Sequence, residues 1–223
     1  MTTAPTYFPN IFDVADERSA KAIILTDEGQ GADTEARWTL ETPYVLELLR
    51  AGLALGPDSL VLDYGCGIGR MAKAMIDATG CSVIGVDISP SMRRLAVDYV
   101  GSDRFLSVSP GQFDTLVRRG LRMQAAISIW VLQHCLAPAE DVSRLRGCLA
   151  ENGRCFVLNM PKRAVPAVHS QPAGKSQFLW AQDSIDVQAL LRTAFKVEGV
   201  GVPDTRRAPN MGDVGAYWML LRI

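Results

Sequence analysis

Residues 61–70 read Val-Leu-Asp-Tyr-Gly-Cys-Gly-Ile-Gly-Arg, and no other stretch of the chain limits its possible folds as much. A short apolar run (Leu60, Val61, Leu62) ends in an acid, Asp63. Glycines follow at 65, 67 and 69, and a helix-like run extends from Arg70 to Ala78. Glycine has no Cβ, so the backbone can turn tightly and come close to a ligand. A buried strand, a glycine loop and a helix N-terminus together build the nucleotide site of open α/β sheets.

Glycine spacing alone does not say which nucleotide. A dinucleotide site wants Gly-x-Gly-x-x-Gly. Counted from Gly65, the third glycine position is Arg70, which breaks the pattern; counted from Gly67 it is Ala72, a tolerated variant. An NAD(P)-dependent oxidoreductase of Rossmann type therefore stays open on spacing. Asp63 points elsewhere: a carboxylate there would repel a pyrophosphate but can hold an amino-acid ammonium group, directly or through water.

Three further segments follow in order. Cys81 to Ser89 (Cys-Ser-Val-Ile-Gly-Val-Asp-Ile-Ser) reads as a second buried strand ending in Asp87. An acid at that distance can accept hydrogen bonds from both hydroxyls of a ribose. Ser89 and Pro90 then start a helix, as N-cap and first-turn proline. Ala125 to Cys135 (Ala-Ala-Ile-Ser-Ile-Trp-Val-Leu-Gln-His-Cys) and Gly153 to Asn159 (Gly-Arg-Cys-Phe-Val-Leu-Asn) complete the series. Together the four segments resemble the class I S-adenosylmethionine (SAM)-dependent methyltransferases, in their small-molecule, type 11/12-like branch.

The resemblance implies an α/β fold: a doubly wound, mostly parallel seven-stranded sheet of order 3-2-1-4-5-7-6, its last strand antiparallel, with helices on both faces. It implies SAM as cofactor and S-adenosylhomocysteine as product. Asp63, Gly65, Cys66, Gly67 and Gly69 would form the loop against the cofactor, Asp87 would hold its ribose, and Ile88 and Met92 would meet adenine. Ser128, Trp130 and Gln133 would face methionine or acceptor. One departure stands out. Many relatives carry an acid after the third strand to bind the adenine amino group, and Leu106-Ser107-Val108-Ser109-Pro110 has none. Backbone or a serine hydroxyl would have to serve. A SAM-binding protein without catalysis remains an alternative alongside the oxidoreductase.

His134 is the candidate catalytic residue. It follows the fourth strand, at the sheet edge where such folds bind ligands, and its ordinary pKa suits a base. A histidine that bonds backbone and shapes the pocket is the other reading. Arg70 reads as a partner for the cofactor carboxylate or as an exposed first-turn arginine. Arg37, Trp38 and Tyr44 lie in a segment that often lids the site, although a surface arginine beside a packed tryptophan is the plainer reading. His169, Lys175 and Trp180 fall where relatives place acceptor contacts, with a loop that has no contact role as the other reading.

Apolar residues make up 48% of the 223, enough for a full core. Net charge is −1, and Lys and Arg never exceed two in a row, which argues against nucleic acid and for a small-molecule acceptor. No apolar stretch approaches the ~20 residues of a membrane span, and residues 1–10 lack a signal-peptide pattern. Five cysteines without Cys-x-x-Cys spacing read as reduced core thiols, hence a cytoplasmic protein. Two distant histidines leave little for a metal site.

One domain over residues 1–223 is expected, with 1–41 as an N-terminal cap and 160–182 as a substrate-side loop. Strands are expected near 59–64, 82–87, 104–109, 124–130 and 153–159. Helices are expected at 15–25, 69–78, 90–100, 112–119 and 139–149. Residues 34–40 read as a helical turn, and Thr42-Pro43 as the start of a separate helix ending near Gly52. Residues 27–33 and 160–175 read as loops. Asp183 is expected to cap a helix reaching Ala194, before strands at 195–202 and 216–223.

Overall fold

Burial runs through consecutive residues of Leu60–Tyr64, Ser82–Val86 and much of Met123–Ile129 instead of alternating. Strands with that pattern are covered on both faces, so helices must lie above and below the sheet. The computed structural model describes residues 6–26, 33–168 and 177–223. In chain order its elements are β1 (Thr6–Tyr7), a 3-10 turn (Pro9–Phe12), α1 (Glu17–Ile24), α2 (Thr34–Gly52), β2 (Leu60–Tyr64), α3 (Arg70–Thr79), β3 (Ser82–Val86), α4 (Pro90–Val100) and β4 (Phe105–Val108). Then come α5 (Pro110–Arg118), β5 (Met123–Ile129), a 3-10 turn (Leu132–His134), α6 (Pro138–Gly147), β6 (Leu149–Asn159), β7 (Ala164–Val168) and β8 (Gln177–Trp180). The chain closes with α7 (Val187–Ala194), β9 (Lys196–Gly201), α8 (Pro209–Asp213) and β10 (Tyr217–Arg222).

Seven strands form one sheet in the order β4-β3-β2-β5-β6-β10-β9. Counted along the chain within that sheet, the order is 3-2-1-4-5-7-6, as expected. The first five are parallel, and β10 runs antiparallel to both β6 and β9. Successive β2 side chains point to opposite faces. Val61 joins the core under α2 and α3, and Leu62 joins the core with Phe113, Leu145 and Leu191. The chain leaves β2 toward β3 and returns at β5, on the other side of β2. At that switch the loops after β2 and β5 diverge, and a crevice opens at the carboxyl ends of the strands.

Local expectations fail in four places. Thr42-Pro43 starts no helix: α2 is continuous from its Asp33 cap, whose carboxylate accepts from the Ala36 N–H at 2.7 Å, and Pro43 lies inside it. Proline removes one helical hydrogen bond. The helix survives because Trp38, Tyr44, Val45 and Leu49 are buried along it, and tertiary packing supplies most helical stability. Asp183 caps no helix. Asp186 caps α7 instead, accepting from the Ala189 N–H at 3.2 Å, while Asp183 is held by Arg163.

The stretch expected as loop 160–175 contains β7, and β6 begins at Leu149, four residues before the expected 153. β7 lies in a second, antiparallel sheet of order β1-β7-β8. The prolines of the 160–175 stretch read as breakers, yet Pro166 lies within β7 opposite Phe178 of β8. It uses its carbonyl, which accepts from the Phe8 N–H at 2.9 Å, just beyond the two-residue β1. His169, Lys175 and the expected loop at 27–32 lie outside the described residues.

Candidate functional site

The glycine loop is held by backbone bonds to β3. Gly65 and Cys66 N–H groups both donate to the Val86 carbonyl, at 2.7 and 3.0 Å. Gly65 and Gly67 have φ of 78° and 54°, which side-chain-bearing residues rarely adopt. A Cβ on Gly65 would stand 2.3 Å from Val131 Cγ2, and one on Gly67 2.7 Å from Ile24 Cδ1. The Asp87 carboxylate grips the loop: Oδ2 accepts from the Gly67 N–H at 2.9 Å and Oδ1 from the Ser89 N–H at 2.8 Å. Burial raises the Asp87 pKa, and those two N–H groups and Arg93 oppose the rise.

A cavity of about 300 Å³ opens over this loop. Seven of the expected site residues line it: Gly65, Gly67, Asp87, Ile88, Met92, Trp130 and His134. Ile88 is at its exposed rim and Met92 is buried in the first turn of α4. Trp130, the residue after β5, has φ of 62°, a strained conformation for a bulky residue. Its indole Nε1 is buried with no hydrogen-bond partner.

Asp63, Cys66, Gly69 and Ser128 do not line the cavity. Cys66 is a buried thiol whose pKa burial raises well above the usual range, so it packs as a small apolar group. Gly69 is the N-cap of α3. Ser128 is fully buried and its Oγ lacks a partner. Asp63 is 3% exposed, and its Oδ2 lacks a partner as well. Burial pushes the Asp63 carboxyl up to about 7, against the opposing pull of Arg70.

Arg70 is buried, contrary to its reading as an exposed first-turn arginine. Burial lowers its pKa to about 10, with Glu41 and Asp63 opposing. Its guanidinium lies 5.5 Å from the Trp38 ring centroid. Arg37 is also buried rather than at the surface, and its Nε donates to Glu41 Oε1 at 2.8 Å. Glu41 Oε2 has no partner. A layer of two acids and two arginines thus lies behind the loop, between α2 and α3. Trp38 donates from Nε1 to the Tyr99 hydroxyl at 3.1 Å, and the Tyr44 hydroxyl accepts from the Asp204 N–H at 2.7 Å, so both are packing residues. Trp180 is exposed beside Lys162 and does not line the cavity.

His134 Nδ1 is 2.6 Å from the Ala164 carbonyl oxygen, and its Nε2 is 3.3 Å from Gln133 Nε2. A carbonyl only accepts and an amide nitrogen only donates, so these partners assign the proton to Nδ1 and the lone pair to Nε2. Burial lowers the His134 pKa. The ring is therefore neutral near pH 7 and ties the loop after β5 to β7.

Several cavity residues escaped sequence reasoning. Tyr64 lies within the loop motif itself, and its hydroxyl donates to Asp141 Oδ1 at 2.5 Å. Tyr7, Phe12 and Phe178 come from the edge of the small sheet, far away in sequence. Tyr64 carried a signal, as a hydroxyl beside a ligand loop. Phe178 carried none, because its place depends on the pairing of β7 with β8. After β4, Ser109 caps α5 by accepting from the Gln112 N–H at 3.3 Å, and Pro110 lines the cavity. Among the described residues no group of His, Cys, Asp and Glu is arranged to hold a metal ion.

A family model described as a methyltransferase domain matches residues 38–184. Over 95 residues the chain is 33% identical to the tRNA U34 carboxymethyltransferase of Methylococcus capsulatus, a match covering 42% of this chain and 29% of that enzyme. An S-adenosylmethionine dependent methyltransferase from Mesorhizobium loti has a similar structure, with TM-score 0.57 and 17% identity over 82% of this chain and 100% of that one. A geranyl diphosphate methyltransferase in complex with SAM gives 0.59 and 16% over 90% and 93%. At such identities these two structures show the fold alone.

Proposed function

The chain belongs to the methyltransferase-domain family, and from that premise we propose that it transfers a methyl group from SAM to a small-molecule acceptor. Membership sets aside the oxidoreductase alternative. The observation that carries the proposal is a single cavity that joins the Gly65–Gly67 loop and Asp87 to a chamber walled by His134 and Phe178.

The residues fit the cofactor. Each Asp87 oxygen accepts one backbone N–H and keeps further acceptor capacity, enough for two ribose hydroxyls. Ile88 and Met92 offer apolar contact to adenine, whose amino group would be met by the backbone beside Pro110. Behind the loop, the orphaned Asp63 oxygen would serve the ammonium group of the methionine end through water, with Arg70 beside it, since neither residue lines the cavity. Ser128 and Trp130 would complete that end with Gly69 and Cys66 shaping the loop.

Bound SAM supplies a methyl group already activated on a sulfonium, so the protein has mainly to align and desolvate. The cavity walls hold the acceptor in line. An acceptor that carries O–H or N–H would lose that proton as it takes the methyl group. His134 Nε2 takes the released proton. The long Gln133 contact to that nitrogen gives way to the acceptor.

Residues 1–223 are proposed as one methyltransferase domain. The 1–41 cap contributes Tyr7 and Phe12 to the chamber, and the 160–182 insert contributes Phe178. The tRNA enzyme shares 29% of its length with this chain, so its substrate does not carry over. A net charge of −1 favours a small acceptor over nucleic acid. Among the described residues no helix is long and apolar enough to cross a membrane. Five free cysteines, four of them buried, favour a reducing, cytoplasmic setting.

Calorimetric titration with S-adenosylhomocysteine, beside NADH and NADPH, tests the proposal. Binding of the homocysteine compound alone is expected; binding of a dinucleotide instead would overturn it. Turnover on a panel of acceptors then separates an enzyme from a SAM-binding protein without catalysis.

A further inference from the structure

The chamber beyond the cofactor loop has two unlike walls. One is aromatic. His134 and Phe178 lie with ring centroids 4.5 Å apart at 35°, and Phe12 stands 5.8 Å from Phe178 and 6.3 Å from His134. These rings come from the loop after β5, the N-terminal turn and β8, so the wall exists only with the small sheet in place. The other wall is a hydrogen-bonded hub. Asp141 Oδ1 accepts from the Tyr64 hydroxyl at 2.5 Å and from Arg144 Nη1 at 3.1 Å. Tyr7 reaches the same neighbourhood, and its pKa is raised by burial and by Cys135 and Asp141.

The balance of charge is decisive. Among the described residues, Asp87, Glu140 and Asp141 line the cavity against a single cation, Arg144. Arg144 is held by Asp141 and, at 3.3 Å, by Asp114. No described cavity residue therefore offers an uncommitted cation to a phosphate or carboxylate. In a partly enclosed space an added anion would meet unscreened repulsion. Flat rings beside Phe12 and Phe178 gain from offset or edge contacts that a saturated ring cannot make.

Resting on the methyltransferase reading above, we infer that the acceptor is a flat aromatic molecule bearing a hydroxyl or amino group and no phosphate or carboxylate. Its ring lies against Phe178 and Phe12, and its polar edge faces the Asp141–Tyr64 hub. His134, at the junction of both walls, then stands beside the atom to be methylated.

The test uses matched probes on the full chain, with and without S-adenosylhomocysteine: 2-naphthol, 2-naphthyl phosphate and the saturated 2-decalol. Naphthol is expected to bind about tenfold tighter than its phosphate, from charge, and about fivefold tighter than decalol, from ring contacts. Phe178→Leu should remove the preference over decalol while leaving affinity for S-adenosylhomocysteine unchanged. Asp141→Asn should narrow the discrimination against the phosphate. Equal or tighter binding of the phosphate, or of decalol, overturns the inference. Absence of S-adenosylhomocysteine binding strikes the cofactor reading instead, and the naphthol series on the ligand-free protein still decides the acceptor class.

Discussion

Asp87 Oδ2 accepts the Gly67 N–H at 2.9 Å across 20 residues of sequence, so the acid at the end of β3 and the glycine loop after β2 form one unit. Losing the carboxylate removes the ligand contact and loosens the loop together. Asp87→Ala should weaken S-adenosylhomocysteine binding about a hundredfold or more, as loss of charged hydrogen bonds implies. Gly67→Val should abolish it, because valine needs space held by Ile24 and a backbone angle it resists. Circular dichroism should find both variants folded, and wild-type affinity in both would refute the site.

Asp63 makes binding depend on pH. Its carboxyl is pushed up to about 7 by burial. Between its ordinary range and about 7 the fold holds a proton that the unfolded chain has released. This group therefore stabilises the fold at low pH, and the contribution fades as pH rises through that window. If the ionised form holds the ligand ammonium, affinity rises with pH to about 7 and then levels, and binding releases a proton. Calorimetry in buffers of different ionisation enthalpy reads that proton. Asp63→Asn should remove both the proton release and the fading of stability.

His134 should act as a base that stays neutral into mild acid. Burial sets its pKa below the ordinary value, so the acid limb of kcat/KM should lie below about pH 6.5. His134→Gln keeps a donor for the Ala164 carbonyl but offers no basic nitrogen. A fall in kcat of about a hundredfold with little change in KM is expected. Wild-type kcat in that variant would reduce His134 to a positioning residue.

Pro43 sits in the interior of α2, where its missing N–H leaves the Thr39 carbonyl without its helical donor. Pro43→Ala should raise stability by roughly 1–2 kcal/mol, the restored bond outweighing the extra freedom of the unfolded chain. Thermal melts check this. A lower melting temperature would mean that the proline sets the packing angle of the helix.

Gly65, Gly67 and Asp87 line the cavity and were readable because each serves its own stretch of backbone, a tight turn or a strand end, whereas Asp63 and Gly69 lie behind it. Their spacing stays the same in sequence and in space. Ile88, Met92 and Trp130 were readable by position for the same reason, and all three reach the cavity. Of the two readings open for Arg70 and Arg37, the surface one, which rests on charge ordinarily marking a surface, fails. Only the packing of α2 on α3 buries them beside Asp63 and Glu41. Thr42-Pro43 and Asp183 show a related failure, where a sound local signal for a helix start is overruled by more distant contacts.

The sequence by itself determined the buried strands, the glycine loop and the acid that meets it, since apolar runs and backbone-limited glycines act over a few residues; the seven-stranded order followed from the family resemblance. Only the tertiary structure decided what closes the cavity. β1 must pair with β7, and β7 with β8, before Tyr7, Phe12 and Phe178 stand opposite Asp141. The β1–β7 pairing joins segments well over a hundred residues apart, and the energy of both pairings lies in contacts that no local pattern encodes.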